Sequence, residues 1–138
     1  MKALTIRQPW ADAIAHGTKL TENRSWKAPV KHTGARILIH AAAANDKTAI
    51  LPPEANVGRA FGRIPIAQRS AIIAVATLTG CHFDTGCCAP WGMADYYHWE
   101  LADVVALPEP VPAKGSLGFW TPASGILDAV TAQMAVTS

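Results

Sequence analysis

The sequence is short of charge, short of cysteine and without any long apolar run, and each shortage narrows what the chain can be. Charged residues make up 16% of the 138 positions while half are hydrophobic, a globular balance rather than a disordered one. No apolar stretch approaches the ~18 residues that cross a bilayer, so no membrane association is expected. The opening Met1-Lys2-Ala3-Leu4-Thr5-Ile6-Arg7 meets charge at once and lacks the sustained apolar segment of a secretory leader. Three cysteines, with Cys87 and Cys88 adjacent, do not make a disulfide framework, and a reducing, cytoplasmic setting is expected. There is no Cys-x-x-Cys pair, and on a strand His82 points away from its neighbour Cys81, so neither a metal nor a cofactor is expected. Gly58 to Gly62 lacks the Lys-Ser/Thr ending of a phosphate-binding Walker loop. With no repeat and no linker, the chain reads as one domain over 1–138, closed by a helical extension over 122–138.

What charge there is, is segregated. Residues 1–36 carry seven basic side chains (Lys2, Arg7, Lys19, Arg24, Lys27, Lys31, Arg36) against Asp12 and Glu22. Beyond residue 69 a single base, Lys114, faces six acids. A basic half that also holds tryptophans is an electrostatic footprint for an anionic partner such as nucleic acid; ordinary solvated charge explains it equally well.

Alternation of apolar residues places a strand at Ala3–Arg7. A short helix opened by Pro9 and stopped by Gly17 follows, then a second strand within Gly17–Trp26 and a third at Ala35–Ala41. Ala42–Leu51 is alanine-rich and reads as helical up to Pro52-Pro53. Ser70–Phe83 is apolar on both faces, as a central barrel strand should be, with Ile73 and Val75 set against Ile72, Ala74 and Leu78. Tyr96–Leu107 alternates again and groups Trp99, Leu101, Val105 and Leu107. Pro108, Pro110 and Pro112 forbid regular pairing, Ser116–Thr121 is a last strand, and Pro122–Val136 is a helix with Ile126, Leu127, Val130 and Met134 on its apolar face. The pattern is α+β: five to six mostly antiparallel strands in a barrel, with a helix between the first two.

The chemistry concentrates in Gly17-Thr18-Lys19-Leu20-Thr21-Glu22-Asn23-Arg24-Ser25-Trp26. If extended, the segment projects Glu22, Arg24 and Trp26 from one face, with Lys19 swinging toward them from the entry turn. Arg24 can hold a phosphate or a base edge bidentately, Glu22 can accept from an exocyclic amine, and Lys19 can neutralise phosphate or serve as a base. The competing reading is a structural ion pair of Glu22 with Arg24 or Lys19 that closes the barrel mouth. Among the five tryptophans, Trp26 is the stacking candidate because it shares that face, Trp99 and Trp120 read as core, and Trp10 as half-buried on the helix. Arg59, Arg63 and Arg69 can follow phosphates from a loop or simply be solvated.

These residues resemble the ASCH domain family, small barrels related to the PUA fold. The resemblance rests on Ala3-Leu4-Thr5-Ile6-Arg7-Gln8-Pro9-Trp10-Ala11, on Gly17-Thr18-Lys19 with Glu22, Arg24 and Trp26, and on Gly34 before Ile37–His40. It continues in His98-Trp99-Glu100-Leu101 and in Gly115 through Gly118-Phe119-Trp120. It implies a nucleic-acid-associated domain with a cleft lined by Gly-x-Lys-x-x-Glu-x-Arg. Lys19, Glu22, Arg24, Trp26, Gln8 and Trp10 would be its ligand-binding residues, and RNA, single-stranded nucleic acid or a modified nucleotide its partner. Some members are hydrolases, acting on RNA or on N4-acylated cytidine, and for such activity Lys19 and Glu22 would be catalytic. In the amidohydrolase branch a lysine and a threonine three residues on work with a later carboxylate. Here Glu22 stands at the threonine position, and Asp84 and Glu100 are the loose candidates for the carboxylate.

Overall fold

The computed structural model describes residues 1–55 and 68–137; Arg59 and Arg63 lie outside the described residues. In chain order the elements are β1 (Ala3–Gln8), α1 (Trp10–Ala15), β2 (Thr21–Arg24), β3 (Arg36–Asn45), β4 (Ala71–Phe83), β5 (Tyr97–Pro112), β6 (Phe119–Trp120) and α2 (Ser124–Thr137), with single 3-10 turns at Val30–His32 and Pro53–Ala55. The six strands form one curled half-barrel sheet in the order β2-β5-β4-β3-β1-β6. β1 and β3 run parallel and every other pair is antiparallel. A parallel pair needs a long crossover, and here α1 and β2 supply it. The α+β, mostly antiparallel architecture with a helix between the first two strands is thus the one the sequence pattern describes.

Both faces of the sheet are covered, which is why the central strands are apolar throughout. On the inner face Leu4, Ile6, Ile37, Ile39, Leu78, Trp99 and Leu101 pack against Ile14 of α1. On the outer face Ala3, Leu38, Ile72, Val75, Leu107 and Val111 meet Val130 of α2, with Ile126, Leu127 and Met134 alongside. A fully buried side chain of this size contributes ~1.5–3 kcal/mol, so Val130, wholly inaccessible, is what fastens α2 down.

Local reading fails where the ladder overrides propensity. Ala42–Asn45 is strand rather than helix: β3 runs on to pair Gln8 with Asn45, and Asp46 N–H bonds to the Gln8 carbonyl at 2.7 Å. β5 likewise continues through its prolines, because Pro108 and Pro110 fall where the register slips between Ile72↔Val111 and Ala74↔Ala106, and Pro112 ends the ladder opposite Ala71. Prolines are tolerated at such irregularities. The slip also divides expected face-mates, sending Ile73 to the inner core and Val75 to the outer. Asp103, at φ 50°, lies between Trp99 and Leu101 on the inner face and Leu107 on the outer.

Candidate functional site

The site is built where α1 hands over to β2. After α1 the Lys19 N–H bonds to the Ala13 carbonyl at 3.1 Å, and the Leu101 N–H to the Leu20 carbonyl at 2.9 Å. These bonds turn Lys19 inward and start β2 against β5. Pairing of Glu22 with Trp99 across that ladder points Glu22 to the same side as the buried Trp99, and Arg24, two residues on, follows it.

The three charged side chains form a continuous chain. Lys19 Nζ lies 2.9 Å from Glu22 Oε1 and also donates to the Thr21 carbonyl. Glu22 Oε2 lies 3.0 Å from the Arg24 guanidinium. Arg24 in turn donates to the Thr5 carbonyl at 2.7 Å, linking β2 to β1 across the half-barrel mouth, while its Nε is buried with no partner among the described residues. Lys19 and Glu22 keep only 2% and 7% of their exposure, so the cluster is a floor rather than a surface patch.

Above that floor opens a cleft of about 390 Å³, within the ~300–1,000 Å³ range of small-molecule sites. Besides Lys19, Glu22 and Arg24, its lining includes Arg7, Asp46, Asn23, Trp10, Trp91 and Tyr96. The Trp10 indole donates to Asp46 Oδ2 at 2.9 Å. That bond and those from Thr48 hold the Asp46 carboxyl below its ordinary range. Trp91 meets Trp10 edge-on, with ring centres 6.5 Å apart. Asn23 clamps the loop carrying Trp91, donating to the Trp91 carbonyl and accepting from the Met93 N–H, both at 2.9 Å.

Lys19, Glu22, Arg24 and Trp10 are therefore brought together, and Gln8 and Trp26 are not. Gln8 is buried, its amide spent on the Gln68 carbonyl and the Asp12 N–H. Trp26 lies beyond the end of β2, where strand alternation has lapsed; it stands edge-on to Trp99 at 4.7 Å and outside the cleft lining. Trp91, Tyr96 and Asp46 were not legible as site residues, because they are distant from Lys19 along the chain; Asn23 lies within the same segment, but strand alternation sets it on the other face from Glu22 and Arg24. Asp84 and Glu100 also lie outside the lining. Away from the cleft, His82, Cys87, Cys88 and His98 converge at the far end of the β4–β5 hairpin, while Cys81, next to His82 on the strand, lies outside that group.

The basic half of the sequence becomes only partly a basic surface. Arg7, Lys19 and Arg24 reach the cleft, whereas Lys2 donates to Thr121 and Arg36 to Thr77 and the Asp103 carbonyl. Behind the cleft wall, buried His40 donates from Nε2 to the Ala113 carbonyl at 2.6 Å, and its Nδ1 lies 3.2 Å from the Thr5 hydroxyl, which also accepts from the Trp120 indole at 2.9 Å. Burial pushes the His40 pKa below its ordinary value. A Cβ at Gly115 would come within 2.7 Å of the His40 ring, so glycine is required there.

No helix among the described residues is long and apolar enough to cross a membrane. No curated protein matches the sequence. In overall shape the chain is similar to a solved structure described as the crystal structure of ASCH from Zymomonas mobilis, at 13% identity and a TM-score of 0.57, over 95% of this chain and 93% of that one. The family model for the ASCH domain matches residues 4–110, which takes in β1, α1, the Lys19–Glu22–Arg24 floor and nearly all of β5, and leaves α2 outside. The chain belongs to the ASCH domain family.

Proposed function

We propose that the cleft holds one nucleotide unit of a single-stranded nucleic acid, RNA foremost, or a free modified nucleotide. The observation that carries this reading is the union in one cleft of Arg7, Lys19 and Arg24 with the half-buried Trp10 and the exposed Tyr96. An aromatic plate beside excess positive charge is the combination that holds an unpaired base and its phosphate. Among the described residues, Glu22 and Asp46 leave the lining with one net positive charge, which favours an anion while offering carboxylate oxygens to an exocyclic amine. Both Glu22 oxygens already accept from the protein, but a carboxylate has about four lone-pair sites.

The alternative is a metal-independent hydrolase in which Lys19 and Glu22 act as acid and base, with a ribose 2′-OH as nucleophile. Their mutual pairing, with Arg24 completing it, favours binding over proton transfer. Acyl transfer is disfavoured further. Glu22 offers no hydroxyl nucleophile, Asp84 is engaged by the Gly86 and Asp95 N–H groups, and Glu100 faces His82. Incubation with end-labelled single-stranded RNA and with N4-acetylcytidine, with and without chelator, separates the readings. Retention of RNA without cleavage or deacylation is expected; cleavage that disappears in Lys19→Ala would instead establish the hydrolase.

A further inference from the structure

The far end of the β4–β5 hairpin carries a second cluster that the cleft does not use. His82 and His98 face each other across the ladder, and the loop between them brings Cys87 and Cys88 over the pair. One ligand atom from each of the four residues lies within 4.8 Å of every other. His82 Nε2 is 3.1 Å from the Cys87 sulfur and 3.7 Å from the Cys88 sulfur, and His98 Nδ1 is 3.7 Å from the Cys87 sulfur. A tetrahedral ion with bonds of ~2.0–2.3 Å separates its ligand atoms by roughly 3.3–3.8 Å.

The surroundings of the cluster are those of a metal centre. A ligating histidine gives its second ring nitrogen to a carboxylate or a carbonyl, which fixes the tautomer. Both histidines here do so: His82 Nδ1 lies 3.3 Å from Glu100 Oε2, and His98 Nε2 lies 2.8 Å from the Met93 carbonyl. Each is left with its other nitrogen aimed at the cysteines. Adjacent residues in extended backbone point to opposite sides, yet both sulfurs reach the same site, and Cys88 sits at φ 73°, where a non-glycine residue is uncommon. Gly92 presses the loop onto the cluster so closely that a Cβ would come within 2.7 Å of the His98 ring and 2.8 Å of Cys88 Cβ. A Cβ at Gly80 would strike the Glu100 carboxylate at 2.9 Å, so that glycine leaves room for the partner of His82.

The geometry points to a structural zinc site formed by His82 Nε2, Cys87 Sγ, Cys88 Sγ and His98 Nδ1. Two thiolates and two imidazoles in a compact, four-cornered arrangement are a zinc donor set. The ion would pin the loop holding Pro90, Trp91 and Met93, which forms one wall of the cleft. The Cys87 and Cys88 sulfurs are bonded to each other, so the metal-binding form is the reduced one. A dithiol reductant supplies two electrons and two protons, is itself oxidised to its disulfide, and leaves two thiols. Zinc then displaces the two thiol protons and binds the thiolates.

The test uses the full chain, purified under a dithiol reductant, stripped of metal by chelation and titrated with cobalt(II). The expected result is one ion per chain, with the visible bands of tetrahedral cobalt and a thiolate-to-cobalt charge-transfer band, both lost when zinc is added. Cys87→Ser and His98→Gln abolish those bands, while Cys81→Ser, whose sulfur lies outside the cluster, retains them. The wild-type titration needs no variant to fold. A reduced chain with all three thiols free that takes up no tetrahedral cobalt would overturn the assignment, and so would a Cys87–Cys88 bond that survives excess reductant.

Discussion

Lys19 and Glu22, three residues apart, meet in an ion pair of 2.9 Å with both side chains almost withdrawn from water. Because Glu22 also bridges to Arg24, one carboxylate is shared by two cations at the floor of the cleft. Breaking a buried pair from one side costs ~3–5 kcal/mol, since the other charge stays behind. Glu22→Ala is therefore expected to destabilise the fold by about 3 kcal/mol in urea unfolding. Lys19→Met combined with Glu22→Leu should cost clearly less than the two single changes added together.

The tryptophans divide by role. Trp10 lines the cleft and Trp26 does not. Trp10→Ala should weaken RNA binding by about 1–3 kcal/mol, roughly 5- to 150-fold in Kd. Trp26→Ala removes a ring packed on the buried Trp99 and should cost about 2–4 kcal/mol of stability with Kd unchanged wherever the variant is folded. Fluorescence titration and thermal unfolding of both variants check the division.

His40 gives the fold a pH dependence. Its pKa lies below the ordinary 6.5 when folded, so at mildly acidic pH the unfolded chain binds the extra proton. Its contribution is complete above about 6.5 and is lost as pH falls from there toward the folded-state value. Tm should fall between neutral and mildly acidic pH, and His40→Gln should flatten that slope.

Asp12 is the opposite case. It is buried in α1, its Oδ1 has no partner among the described residues, and desolvation raises its pKa. A raised carboxyl pKa gives stability at low pH that is lost as pH rises through the folded value. Asp12→Asn should therefore raise stability at neutral pH, by about 1 kcal/mol, read as an upward shift in the urea midpoint.

The parts legible in the sequence are those governed by local period. Glu22 and Arg24 share a face because they are two apart on a strand, and Ile126, Leu127, Val130 and Met134 share one because they recur at helical spacing. What escaped depends on pairing register and on breaks in it. Trp26 left the face of Arg24 because β2 ends at Arg24. The prolines of β5 entered the ladder because a register slip receives them. The encounter of His82 with His98, and of Trp10 with Trp91, follows from which strand and loop positions meet, and no spacing along the chain encodes that.

The most direct test of the cleft as a nucleotide site is the Kd of a short single-stranded oligoribonucleotide measured across a salt series. The chains to compare are wild type, Arg7→Ala and Arg24→Ala; Arg7 is exposed, so its loss should spare the fold. Affinity should fall with salt, both variants should bind more weakly, and the log–log salt slope should become shallower by about 0.7 for each phosphate contact removed. Affinity that ignores both salt and the two substitutions would contradict it.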